Sequence, residues 1–252
     1  MNPGAKAATT RARTLYDLEV AGKRVLVRVD FNVPVEHGAV TDDERIRAAL
    51  PTLTQLLAAG ATLVLMSHLG RPKGAPEDAY RLAPVASRLS ELLGREVRYA
   101  PTSGPASAEQ ARFVAEAPEG SVTLLENTRF DSREKQNDPA LARALAAYGE
   151  LYVNDAFGAA HRAHASTEGV AKLLPSAAGE LMHKELGVLS RLLEAPEKPF
   201  KVILGGAKVS DKLGVIESLL GLADELLVGG AMAYTFIRPQ SGAVGDSLVE
   251  TE

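Results

Sequence analysis

Short runs rich in valine and leucine alternate along this chain with longer stretches whose apolar residues recur at helical spacing. That alternation constrains the fold more than any other feature. Residues 24–31 (RVLVRVDF), 61–68 (ATLVLMSH), 96–100, 121–127 (SVTLLEN) and 150–156 (ELYVNDA) are bounded by turn residues and read as strands. Between them, Ile46, Leu50, Leu53 and Leu57 form one helical stripe behind Asp42 and Asp43 as caps, and Leu82, Val85, Ala86, Leu89 and Leu93 form a second. Pro51 conflicts with the first helix and predicts a kink or a later start. Strands alternating with helices predict an α/β fold whose mainly parallel, doubly wound (Rossmann-like) sheet is covered on both faces.

The pattern pauses after a helical stretch at 181–194 and the PEKP of 196–199, then restarts. New strands are expected at 200–206 (FKVILGG) and 225–230 (ELLVGG), around a helix over 209–220. The expected organisation is a flexible extension at 1–13, a complete lobe at 14–180, an interlobe helix and hinge at 181–199, and the start of a second lobe at 200–252. Two strands and one helix between them do not bury both faces of a parallel sheet, so the second lobe reads as incomplete.

Composition narrows the chemistry. The absence of Cys excludes disulfides, thiolate metal sites and a cysteine nucleophile. A net charge of -4 and 5% aromatic residues argue against a basic or base-stacking nucleic-acid surface. No apolar stretch reaches the length of a membrane span. Residues 1–13 carry Lys6, Arg11 and Arg13 without an apolar core, which fits a disordered extension better than a secretory or organelle leader. A soluble, intracellular protein is expected.

Ligands of open α/β sheets bind beyond the carboxyl ends of the strands, and there the unusual residues collect. The first strand ends in Arg28, Asp30, Phe31 and Asn32; the second runs into His68, Leu69, Gly70 and Arg71. The fourth leads to Arg129, the fifth to Asp155, His161, Arg162 and His164, and Arg45 follows in a first helical turn. Guanidinium groups suit bidentate binding of phosphate and carboxylate, so a small polyanion is the expected ligand. His161 and His164 lack a clear third ligand and make a poor zinc site. Asp30 and Asp155, as carboxylates among arginines, are read as orienting groups rather than an acid/base pair. In the second region Gly205, Gly206, Lys208 and Lys212 follow a strand and open a helix, and Gly229–Gly230 repeats the theme after the next strand. Glycines permit close backbone approach, a helix N-terminus favours an anion, and two lysines there oppose the helix dipole until an anion arrives. The pattern is not a Walker A loop.

Taken together, residues 28–34 (RVDFNVP), 42–46 (DDERI), 67–72 (SHLGRP), 126–130 (ENTRF), 155–166 (DAFGAAHRAHAS), 203–212 (ILGGAKVSDK) and 228–236 (VGGAMAYTF) resemble, in order, the signatures of the phosphoglycerate kinase family. The resemblance covers about residues 14–252. It implies reversible phosphoryl transfer between 1,3-bisphosphoglycerate and MgADP, giving 3-phosphoglycerate and MgATP, in a cytoplasmic monomer whose lobes close over both substrates. It places phosphoglycerate on Asp30, Phe31, Asn32, Arg45, His68, Leu69, Gly70, Arg71, Arg129 and Arg162, with Arg28, His161 and His164 in support. It places ATP/ADP with Mg²⁺ on Gly205, Gly206, Lys208, Lys212, Gly229 and Gly230, and names no metal-binding residue.

An acyl phosphate is attacked by ADP, or in reverse a carboxylate attacks; with a carboxyl pKa near ~4 no general base is required. Positioning and charge neutralisation suffice, and Arg45 and Lys208 are assigned that catalytic role. The family's later Gly-rich phosphate loop, its nucleotide-associated acidic residue and its terminal segment do not occur. The first alternative is therefore an inactive truncated fragment that binds 3-phosphoglycerate without catalysis. A dinucleotide-binding dehydrogenase is disfavoured because no strand is followed by GxGxxG.

Overall fold

The computed structural model describes residues 13–240 and 242–250, so the expected extension at 1–13 lies outside the described residues except for Arg13. The described residues form two compact units that divide between Glu185 and Leu186.

The first unit is a six-stranded parallel sheet: β1 (Arg24–Arg28), β4 (Thr62–Met66), β5 (Val97–Tyr99), β6 (Val122–Leu124), β7 (Leu151–Asn154) and β8 (Ser176–Ala178). Their spatial order is β5-β6-β4-β1-β7-β8. A small antiparallel hairpin, β2 (Val35–Glu36) with β3 (Ala39–Val40), stands apart from it. β1 is central because β4 pairs with it on one side (Val27 beside Leu65) and β7 on the other (Val27 beside Val153). The chain departs from β1 in both directions, which makes its carboxyl end a topological switch point.

Alternate residues of the central strands feed two separate cores. Val25, Val27, Leu63, Leu65 and Val153 pack with Ile46, Leu53, Leu56, Val85 and Leu89 from α1 (Glu44–Ala58) and α2 (Ala83–Leu93). Leu26, Val64, Met66 and Tyr152 pack on the opposite face with Val114 of α3 (Ala108–Ala115) and Leu141 and Leu145 of α4 (Pro139–Ala146). With both faces covered, these strands need apolar residues at every position, which accounts for their unbroken Val/Leu character.

Pro51 neither delays nor splits α1, which runs continuously from Glu44 to Ala58. Its ring lies on the exposed side, where water can serve the carbonyl that loses its N–H partner. Asp43 holds the N-cap position, yet its carboxylate goes to Arg47 at 2.8 Å and Arg88 at 2.7 Å; the first-turn amide of Glu44 donates to Asp42 at 3.0 Å instead.

After the one-turn helix α5 (Phe157–Ala160), the helix α6 (Glu180–Glu194) crosses the division between units. The second unit pairs β9 (Lys201–Gly205) with β10 (Glu225–Gly229) in parallel, with α7 (Leu213–Leu220) and α8 (Met232–Ile237). The expected helix over 209–220 begins as a 3₁₀ turn at Ser210–Lys212 and becomes α-helical only from Leu213. Val209, Ile216 and Met232 form its small core with Leu204, Leu226 and Val228. Ile203, pointing the other way from β9, is 79% exposed, so one face of this short sheet is uncovered. Leu65, fully buried in the larger core, sets a stability test. Leu65→Ala should lower the unfolding free energy by about 3 kcal/mol, measured by urea titration, because the close-packed site collapses only partly around the lost atoms.

Candidate functional site

The carboxyl ends of β1, β4 and β6 meet around a cavity of about 380 Å³, a size suited to a small ligand. Its walls are Asn32 after β1, His68, Gly70 and Arg71 after β4, Arg129 after β6, and Lys135 and Arg162 from later turns. Hydrogen bonds between the loops hold these groups in place. Gly70 N–H donates to Asn32 Oδ1 at 2.8 Å, and Arg129 Nη1 donates to Gly70 O at 2.6 Å. Asn127 ties the β4 and β6 ends together: its Nδ2 donates to Leu69 O and Tyr80 O, and its Oδ1 accepts from the amides of Leu69 and Arg129. Gly70 has φ +61°, and a Cβ there would stand 2.3 Å from the Tyr80 ring, so both backbone angle and space require glycine.

The electrostatics are those of an anion site. Arg129 is buried and its Nε–H has no hydrogen-bond partner among the described residues. Burial, followed by the nearby Arg162 and Arg28 charges, lowers its affinity for its own proton. Burial also holds His68 down to about 2, reinforced by Arg28, Arg129 and Arg162, and holds His164 down to about 4, reinforced by Arg129 and Arg28. Both rings are therefore neutral at physiological pH. Glu134 is buried below them, and burial pushes it above the usual carboxylate range against the pull of Arg28.

The expected residues take different places. Asn32, His68, Gly70, Arg71, Arg129 and Arg162 line the cavity. Asp30 orients Arg45 by an ion pair at 2.7 Å, while the Arg45 side chain is otherwise half exposed. Phe31 and Leu69 belong to the core, so any ligand contact at these two positions falls to the backbone. Arg28 is 1% exposed, behind the cavity rather than on its wall. His161 is exposed and outside the lining, and His164 lies under it, its Nδ1 3.8 Å from Glu134 Oε1. Asp155 departs from the expected pairing with arginine. Its Oδ1 accepts from the Met182 amide in the first turn of α6, its carboxylate also meets the Thr52 hydroxyl, and burial raises its pKa. Lys135 and Glu134 were not expected. Both sit in a polar loop whose charges look solvated until the fold closes Ser166 and Arg28 over one of them.

In the second unit the glycine turns pack together. Gly230 has φ +69°, a Cβ there would meet Gly206 O at 3.0 Å, and Met232 N–H donates to Gly206 O. Gly205 pairs with Gly229 across the strands, and the Lys212 side chain passes over Gly206. Lys208 is exposed. The amides of Val209 and Ser210 already donate to a carboxylate, that of Glu250, at 2.8 and 2.9 Å, so the anion-favouring turn is served from within the chain. No signal in the sequence marks Glu250 for this.

Fold and site together define a parallel α/β protein with a cation-lined anion pocket at the switch point of its sheet. A family model described as phosphoglycerate kinase matches residues 15–252. A phosphoglycerate kinase of Rubrobacter xylanophilus is 61% identical over 95% of this chain and 60% of its own length. One of Thermus thermophilus is 60% identical over 95% and 61%. The structure of phosphoglycerate kinase from Coxiella burnetii superposes with a TM-score of 0.83 at 39% identity, over 95% of this chain and 60% of that one. The chain belongs to the phosphoglycerate kinase family, and it spans about 60% of the length of the curated relatives it matches.

The lowered histidines make a pH prediction with a definite sign. Below pH about 6.5 the unfolded chain takes up protons that the folded rings refuse. Their contribution to stability is therefore complete above that pH and declines as pH falls, toward about 4 for His164 and about 2 for His68. Denaturant titrations across this range should show the decline, and His164→Gln should flatten it.

Proposed function

We propose that this chain supplies the phosphoglycerate-binding part, and the opening of the nucleotide-binding part, of an enzyme that moves a phosphoryl group between 1,3-bisphosphoglycerate and ADP. The observation that carries the reading is the cavity at the switch point. Arg71, Arg129, Lys135 and Arg162 surround it, and a buried Arg129 Nε–H has no partner among the described residues. A molecule with a phosphate at one end and a carboxylate at the other fits that demand, since guanidinium forks bind both groups and an unpaired buried donor is otherwise unfavourable.

The chemistry asks little of the protein beyond position and charge. Arg45, held by Asp30, and Lys208 would each neutralise charge on the transferring phosphoryl, Lys212 would hold nucleotide phosphate, and the turns at Gly205–Gly206 and Gly229–Gly230 would admit the nucleotide closely. Among the described residues no group of three His, Asp or Glu side chains could hold a metal. Mg²⁺ would be held by the nucleotide phosphates and neutralise their charge. No helix among the described residues is long and apolar enough to cross a membrane, and action as a monomer in the cytoplasm, closing at residues 181–199, completes the proposal.

One observation favours binding without turnover for the 252 residues alone: the uncovered apolar face of the second unit. Calorimetry should detect 3-phosphoglycerate binding to this chain, while a coupled assay detects no ATP formation until the length of the relatives is supplied. Arg162 is exposed, so Arg162→Ala should fold normally and raise the dissociation constant for 3-phosphoglycerate about tenfold, the loss of one charged hydrogen bond. Unchanged affinity would remove the cavity from the binding site. In a protein of full family length, Arg45→Ala should reduce turnover far more than nucleotide affinity.

A further inference from the structure

Beneath the cavity hydrogen bonds run outward from Arg28 in two directions, to His68 and through Ser166 to Glu134. Arg28, 1% exposed, has only donors. Its Nη1 donates to the carbonyls of Val29 and Met66, its Nε to Ser166 Oγ at 2.9 Å, and its Nη2 lies 3.1 Å from His68 Nδ1. Having accepted from Arg28, the Ser166 hydroxyl turns its own proton to Glu134 Oε1, while Ser166 N–H donates to Glu134 Oε2 at 3.0 Å. Glu134 is 1% exposed, so this buried carboxylate is the counter-charge of the buried guanidinium, joined to it through one hydroxyl.

We propose that Glu134, acting through Ser166 and Arg28, is a positioning residue that fixes His68 in a single neutral tautomer, with Nδ1 accepting and Nε2–H offered to the bound anion. A guanidinium cannot accept a proton, so a hydrogen bond between Arg28 and His68 requires an unprotonated Nδ1. The competing acceptor, Asp30 Oδ1, stands 3.9 Å from that nitrogen, beyond hydrogen-bond reach. The remaining ring donor is Nε2–H, and His68 is part of the cavity wall. This arrangement adds a donor without adding a charge, at a place where Arg28, Arg129 and Arg162 already repel one another. The anion-binding role of His68 rests on the phosphoglycerate reading; the tautomer and the chain that sets it do not.

The test uses the whole 252-residue chain labelled with ¹⁵N. A long-range ¹H–¹⁵N spectrum at neutral pH, with His68→Gln for assignment, should show His68 protonated at Nε2 only. Protonation at Nδ1, or at both nitrogens, overturns the proposal. Glu134→Gln keeps the shape and removes the charge; it should mix the two tautomers and raise the dissociation constant for 3-phosphoglycerate about tenfold. An unmixed tautomer with unchanged affinity in that folded variant also overturns it. Should Glu134→Gln not fold, Ser166→Ala should lose the tautomer and Ser166→Thr, which keeps the hydroxyl, should restore it. A wild-type chain with the expected tautomer and no 3-phosphoglycerate binding counts against the functional reading and leaves the relay standing.

Discussion

A buried guanidinium holds the carboxyl edge of the sheet together. Arg28 is the last residue of β1, and it bonds the carbonyl after its own strand, the carbonyl that ends β4, and the hydroxyl of Ser166 in the turn beyond β7. A buried group with five fixed donors can bond several backbone carbonyls and side chains at once. The same act places an uncompensated charge in the interior, which is strongly unfavourable unless paired. Glu134 supplies the pairing. The cavity's wall residues stand on loops that hydrogen bonds tie to one another above this arrangement.

The two units show what burial on one or both faces does to a sheet. In the first, apolar side chains of β1 and β4 alternate between two helical layers, and even Thr123 on β6 is fully buried. In the second, Leu204 packs with Ile216 of α7 and Met232 of α8 while Ile203 before it is solvated. The residue types are the same and the outcome differs because only one layer of helices is present among the described residues. A parallel sheet exposed on one side is an unusual solution, in keeping with relatives that are longer than this chain.

How much of this was legible depended on whether a signal was local. The strand centres were, since Val/Leu runs bounded by turns have few other uses, but the strands proved shorter than their apolar runs. Residues 29–31 and 125–127 continue the apolar or extended pattern past the ends of β1 and β6, Val29 and Leu125 still bonding β4, and go on to form the site loops. β8 was missed because Ser176–Ala178 has no strand character of its own and is extended by pairing with β7. α4 had its signals, Asp138 capping the amides of Ala140 and Leu141 ahead of Pro139, but they went unread inside a polar stretch. The arginines were legible as a set because the sheet rule sorts strand ends to one edge. Their division into Arg129 on the wall and Arg28 behind it was not, because it depends on which neighbours each meets.

The clustering itself explains why the site is built as it is. Cations gathered before a ligand arrives repel, and burial aggravates this, as the lowered proton affinities of Arg129, His68 and His164 record. Two responses are visible. Histidines stay neutral, so they add donors without charge, and carboxylates hold the groups that must remain charged: Asp30 beside Arg45, Glu134 beneath Arg28. What no group among the described residues answers is the Nε–H of Arg129. A polyanion entering the cavity meets donors already oriented and a field already positive, so most of the ordering a ligand would otherwise impose is complete before it binds. Preorganisation of this kind follows directly from a fold that puts its switch point, its buried guanidinium and its loop arginines at one edge.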